Sequence, residues 1–174
     1  SPPPPVLSES APAPPISAPM ASPAHAGDRG AYTSDHVETF ELSTALEDGP
    51  VVLAFFPGVY SRTCTRELCE FRDWLSDLGD LDASVYGVSA DTPWSQLAFV
   101  DEYDLPYPLV SGFNNDVVAD YGLRVEEGPL AGIAERAVLV VDGEGTIVYR
   151  WHVTEPRVYP DLEAVEAALP GPRS

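Results

Sequence analysis

The stretch "FFPGVYSRTCTRELCEFRDW", residues 55–74, holds both cysteines of the chain, Cys64 and Cys69, with four residues between them. It opens on the end of "VVLAFF" (51–56), a continuous apolar run of the kind that fills a buried central strand. It closes on a helix. Over residues 62–78, Leu68, Phe71, Leu75 and Leu78 fall on one helical face, with Glu67 in the first turn. Cys64 therefore stands where a strand gives way to a helix. The free backbone N–H groups and the helix dipole at such a junction favour a thiolate. An ordinary thiol titrates near about 8.5, so lowering that value supplies a nucleophile at neutral pH. The junction also faces the carboxyl ends of the strands, where α/β sheets place their sites.

Outward from this segment, strands and helices alternate. "HVETFEL" (36–42) alternates like a strand, and "EDGP" turns into the apolar run. "SVYGVSA" (84–90) is the next buried strand. "DTPWSQLAFVDEY" (91–103) starts a helix with a cap residue and Pro93, where the missing N–H has no helical partner to lose. "PLVSG" is a short strand, and "NDVVADYG" a short helix stopped by Gly122. "RAVLVVDGEGTIVYRW" (136–151) reads as two strands joined by a Gly-containing turn. Because a strand follows its "GEG", that motif needs no phosphate-cradle reading. "YPDLEAVEAALPGP" is a final amphipathic helix ended by prolines. The order β-α-β-α-β-α-β-β-α predicts an α/β fold, a central mixed sheet with helices on its faces.

The first 23 residues carry 9 of the chain's 19 prolines. Such a composition has little to bury and favours extended, disordered chain. Residues 1–30 are therefore expected to be a Pro-rich tail outside the fold, with the domain at 31–174. Met20, the only methionine, marks a candidate start. The net charge is −19, and all nine basic residues are arginine. A surface of this sign repels phosphate backbones and anionic lipid, which argues against nucleic acid and membrane partners. Its acids are scattered rather than gathered in one arm, and the density of like charge points to a halophilic, salt-screened cytoplasm. No apolar run approaches the roughly 20 residues of a membrane span, and no secretory layout opens the chain. The expected compartment is cytoplasmic.

In such a compartment two cysteines are seldom a stability framework. A structural zinc site wants four ligands at closer pair spacing, and His25, His36 and His152 fall in a tail, a loop and a hairpin strand. Metal is accordingly not expected. Redox chemistry fits the position of Cys64 better.

The segment resembles the active-site region of the peroxiredoxins, whose pattern is Pro, three residues, Thr or Ser, two residues, Cys. Here those positions are Pro57, Ser61 and Cys64. The resemblance runs over roughly residues 36–169, closest to the alkyl hydroperoxide reductase E-like and peroxiredoxin Q (bacterioferritin comigratory protein-like) branches. It implies a thioredoxin fold and a thiol-dependent peroxidase with no metal or organic cofactor. Residue by residue, Cys64 matches the peroxidatic cysteine, whose thiolate attacks the O–O bond and becomes a sulfenic acid. Ser61 matches the hydroxyl that bonds thiolate and peroxide, and Pro57 the residue that shields the thiolate from water. Arg136 matches the guanidinium that holds the developing negative charge, the alternative being a surface pair with Glu135 or Asp142. Cys69 matches the resolving cysteine, implying a Cys64–Cys69 disulfide recycled by a thioredoxin-like reductant.

Two positions depart from the pattern. Ser61 replaces the commoner Thr, which keeps the hydroxyl but loosens its rotamer. The family's N-terminal "APDF"-like segment is not recognisable; "GDRGAYTSDHVETF" stands in its place, so the first strands are expected to be truncated or rearranged.

Helix geometry constrains the implied disulfide. On one regular helix, five positions turn the side chain by about 140° net and rise about 7.5 Å, leaving the Cα atoms roughly 8–9 Å apart. A disulfide needs them within about 7 Å. Forming it requires about residues 62–70 to unwind. Two other classes compete with the peroxidase. One is a thioredoxin-like disulfide exchanger, whose two-residue cysteine spacing is absent here. The other is a non-catalytic acidic interaction module using the Pro-rich tail. The substrates expected are hydrogen peroxide or organic hydroperoxides, with the chain a monomer or homodimer.

Overall fold

A computed structural model describes residues 9–78, 83–153 and 158–169. Five apolar residues in succession, Val51–Phe55, form strand β3, and every one is buried. That burial on both faces explains the unbroken apolar run. The parallel strand β4 (Ser84–Ser89) lies on one side of β3, and the antiparallel β6 (Arg136–Val141) on the other. A bulged antiparallel pairing adds β7 (Ile147–Val153) beyond β6. On the far side, β5 (Leu109–Ser111) runs parallel to β4. Two further antiparallel strands, β1 (Ser17–Ala21) and β2 (Glu38–Glu41), complete a seven-stranded mixed sheet in the order β2-β1-β5-β4-β3-β6-β7.

Alternation along the central strands divides the core into two layers. Val51, Leu53 and Phe55 join Leu139 and Val141 on one face, packed under Leu42 of the short helix α1 (Leu42–Ala45). Val117, Val118 and Tyr121, in and just after α4 (Val117–Asp120), cover the same face. Val52, Ala54, Val138 and Val140 face the other way, under Leu68 and Phe71 of α2 (Arg62–Leu78). Helix α3 (Pro93–Glu102) adds Leu97, Phe99 and Val100 there, and α5 (Leu162–Ala168) adds Val165. Helices thus cover both faces. Gly87 of β4 leaves no room for a side chain: a Cβ there would stand 2.6 Å from Leu109 Cδ2 of β5 and 3.1 Å from Phe56 Cε1.

The elements expected from the sequence are present from β2 to α5, with α2 at the predicted bounds. Leu68 and Phe71 are buried and Leu75 half-buried; the side chain of Leu78 and the prolines expected to end α5 lie outside the described residues. The hairpin turn is drawn in by Asp142, whose Oδ1 accepts from Glu144 N at 3.0 Å and Thr146 N at 2.9 Å.

The expectation for residues 1–30 needs correction. Residues 1–8 lie outside the described residues, but 9–30 belong to the fold. Ser10 N donates to Ile147 O (2.7 Å), Ile16, Ala18 and Ala21 are buried, and β1 sits between β2 and β5. Proline density hid this strand. Pro19 pairs with Thr39 on one side only, because the register with β5 covers Met20 and Ala21 and stops short of Pro19, and a strand tolerates proline where no donor is required. Strand β1 is thus supplied from upstream of "GDRGAYTSDHVETF", and β2 begins within that stretch.

Candidate active site

The chain leaves β3 at Phe56, whose N–H still donates to Val88 O at 3.0 Å, and reaches α2 through Pro57–Ser61. Three devices fix this loop. Val59 N donates to Asp91 Oδ2 at 2.9 Å, and the same oxygen accepts from Ser89 Oγ at 2.6 Å. Ser89 Oγ in turn accepts from the buried Gln96 Nε2 at 3.0 Å. Tyr60 adopts a left-handed backbone (φ 70°), a conformation that non-glycine residues hold only where the surroundings impose it. Its ring meets Phe99 edge-on at 5.2 Å.

Ser61 then caps α2. Its Oγ accepts from Cys64 N at 3.3 Å and its carbonyl from Thr65 N at 2.9 Å. This is the usual use of serine at a helix start, and it leaves the hydroxyl hydrogen for another acceptor. Pro57 is half-buried at the loop entrance. Cys64, in the first turn, is 0% exposed.

Strand register brings the cation to it. Phe55, the last residue of β3, pairs with Ala137, so Arg136 at the start of β6 lies level with the junction. Arg136 Nη2 donates to Cys64 Sγ at 3.2 Å, and Nη1 pairs with Glu67 Oε1. Arg136 is 2% exposed, so the sequence alternative of a surface pair does not describe it; Glu135 bonds His152 instead.

Glu67 was read in the sequence only as a first-turn acid. It is 1% exposed, and Oε2 has no hydrogen-bond partner among the described residues. Burial raises its pKa to about 7, against the opposing pull of Arg136. The signal lay in the spacing: Glu67 is three residues after Cys64, and so on the same buried face.

Cys69 differs. It is half-buried, and burial raises its thiol pKa, with Arg72 opposing that rise. Both cysteines are free thiols within one continuous helix. The structure therefore brings together Cys64, Ser61 and Arg136, adds Glu67, and sets Cys69 apart. His25 and His36 pair with Glu38 and Asp28 on the surface.

A mixed sheet with helices on both faces, built around one buried, cation-paired cysteine at a helix start, defines a thioredoxin-fold protein of the peroxiredoxin type. The sequence pattern of the AhpC/TSA family matches residues 11–150, and the chain belongs to that family. A Mycobacterium tuberculosis chain assigned to the peroxiredoxins is 34% identical over 128 residues, 67% of this chain and 82% of the relative. Chloroplastic peroxiredoxin Q of Gentiana triflora is 35% identical over 105 residues, 60% of this chain and 47% of that one. The crystal structure of peroxidoxin BcpB from Mycobacterium tuberculosis shares the fold, with TM-score 0.72 at 24% identity over 93% of this chain and 96% of that one.

Proposed function

We propose that the chain is a thiol peroxidase that reduces hydrogen peroxide or organic hydroperoxides through Cys64. The observation that carries this reading is the 3.2 Å bond from Arg136 Nη2 to Cys64 Sγ in a site closed to water. A charged donor in such surroundings stabilises both a thiolate and the charge that develops on peroxide oxygen. The Cys64 thiolate attacks one peroxide oxygen; an S–O bond forms, the O–O bond breaks, and the departing alkoxide or hydroxide takes a proton. Ser61 offers its hydroxyl hydrogen to this oxygen, and Pro57 shields the sulfur.

The product is a Cys64 sulfenic acid. Cys69 sulfur then attacks Cys64 sulfur, a disulfide forms and water leaves. Helix α2 holds the two too far apart for this, so about residues 62–70 unwind first. Unwinding also removes the burial that raises the Cys69 pKa. An external dithiol protein of thioredoxin type restores both thiols. We assign the reaction to the cytoplasm. The net charge of −19 is assigned to a salt-rich interior, testable by thermal unfolding against potassium chloride concentration.

Cys69→Ser tests the sequence of steps. The variant should consume one equivalent of peroxide and then stall in the presence of a dithiol protein. Wild type should turn over and lose helix content on oxidation, with Trp74 fluorescence changing as the disulfide forms. Steady turnover by Cys69→Ser with the same reductant would remove Cys69 from the cycle. A wild type that reduced protein disulfides but left peroxide untouched would favour the exchanger.

A further inference from the structure

If resolution needs α2 to open between Cys64 and Cys69, whatever ties that stretch down sets the rate. Two side-chain donors fasten α2 to the connection between α3 and β5, and they bracket Cys69. Tyr107 Oη donates to the Leu68 carbonyl at 2.6 Å, one residue before Cys69. Arg72 Nη1 donates to the Tyr103 carbonyl at 2.6 Å, three residues after it. Tyr107 is 3% exposed, with Glu67, Cys69 and Arg72 close to its hydroxyl, and Leu68 O is the acceptor of that hydroxyl.

We infer that Tyr107 is a positioning residue for the resolving step, a latch that holds the Cys69 end of the opening segment. The inference rests on the peroxidase reading above. While the helix is intact, the latch keeps Leu68 in place. When residues 62–70 open, the Leu68 carbonyl moves away and the hydroxyl is left buried without its acceptor. That penalty opposes opening and slows disulfide formation. The Arg72 tie lies beyond the segment and keeps the rest of α2 docked.

The consequence is a longer-lived sulfenic acid. A second peroxide can meet it, adding an oxygen to sulfur to give the sulfinic acid while its own O–O bond breaks. Tyr107 thus sets the partition between disulfide and over-oxidation without touching peroxide.

Tyr107→Phe removes only the hydroxyl, and the Leu68 carbonyl keeps its helical bond, so the variant folds. In single-turnover mixing with one equivalent of hydrogen peroxide, the first-order rate of disulfide formation should rise roughly three- to tenfold. The second-order rate of peroxide uptake should stay within about twofold, and hydrogen-exchange protection over 62–70 should fall by the same factor as resolution speeds up. Tyr121→Phe is the control. Its hydroxyl donates to the Pro14 carbonyl at 2.7 Å on the opposite face of the sheet, and its loss should move neither rate. An unchanged resolution rate in Tyr107→Phe overturns the latch, as does an equal shift in both steps. A wild type that takes up peroxide yet never forms the Cys64–Cys69 bond shows instead that the underlying cycle is wrong, and the latch falls with it.

Discussion

The two cysteines share one helix and have opposite surroundings. Cys64 is fully buried at the helix start, under a guanidinium and with its backbone N–H bonded to Ser61. Cys69 lies half-buried five residues on, and burial raises its thiol pKa against the pull of Arg72. The same residue type therefore meets two environments on one helix. What separates them is a cation delivered to Cys64 by strand register and the position of Cys64 in the first turn.

Removing the first sulfur breaks that comparison most completely. Cys64→Ser should abolish peroxide consumption, because a hydroxyl near neutral pH supplies almost no anion. Stopped-flow measurement with hydrogen peroxide and with an alkyl hydroperoxide decides it, and near-normal rates would move the chemistry elsewhere.

Removing the cation should make the two thiols more alike. Arg136→Ala should slow peroxide uptake by roughly 10²-fold or more, the scale for losing one transition-state donor. Arg136→Lys should recover only part of the rate, since an ammonium lacks the planar fork that reaches both Cys64 and Glu67. Equal rates in all three proteins would reduce the Arg136 contact to packing.

The smallest effect is expected at Glu67, and it is a pH effect. Its folded pKa of about 7 lies above the ordinary carboxyl value of 4.5. The native state therefore holds this proton more tightly than the unfolded chain does. The resulting stability is complete below about pH 4.5 and lost as pH rises through about 7. Glu67→Gln cannot titrate, so its melting temperature should fall less over that window, by a difference on the order of a few degrees. Parallel curves for the two proteins would show that Glu67 titrates normally.

Much of this was legible in the residues. The apolar run, the periodicity of 62–78 and the Pro57–Ser61–Cys64 spacing located the sheet centre, the helix and the buried cysteine at their junction. Arg136 was found through resemblance, because its approach depends on the β3–β6 register, which no local pattern encodes. Glu67 was missed because it was read as a first-turn acid serving the helix dipole, whereas it is the sixth residue of α2 and faces inward. Asp91 was missed for a related reason: it holds the loop at Val59, a partner 32 positions away in the chain. Strand β1 was missed because composition outweighed the alternation of Ile16, Ala18 and Met20.

Strand β1 has one more consequence, in the order of assembly. It precedes the other strands of the described residues, and it can pair early with β2. Its other neighbour is β5, where Met20 meets Val110 and Ala21 meets Leu109. The centre of the sheet must therefore form before the earliest part of the chain can dock, a distant pairing of the kind that slows folding. A nascent chain that has not yet reached Leu109 carries a β1–β2 ribbon whose β1 edge is bare, open to strands of other chains until β5 arrives.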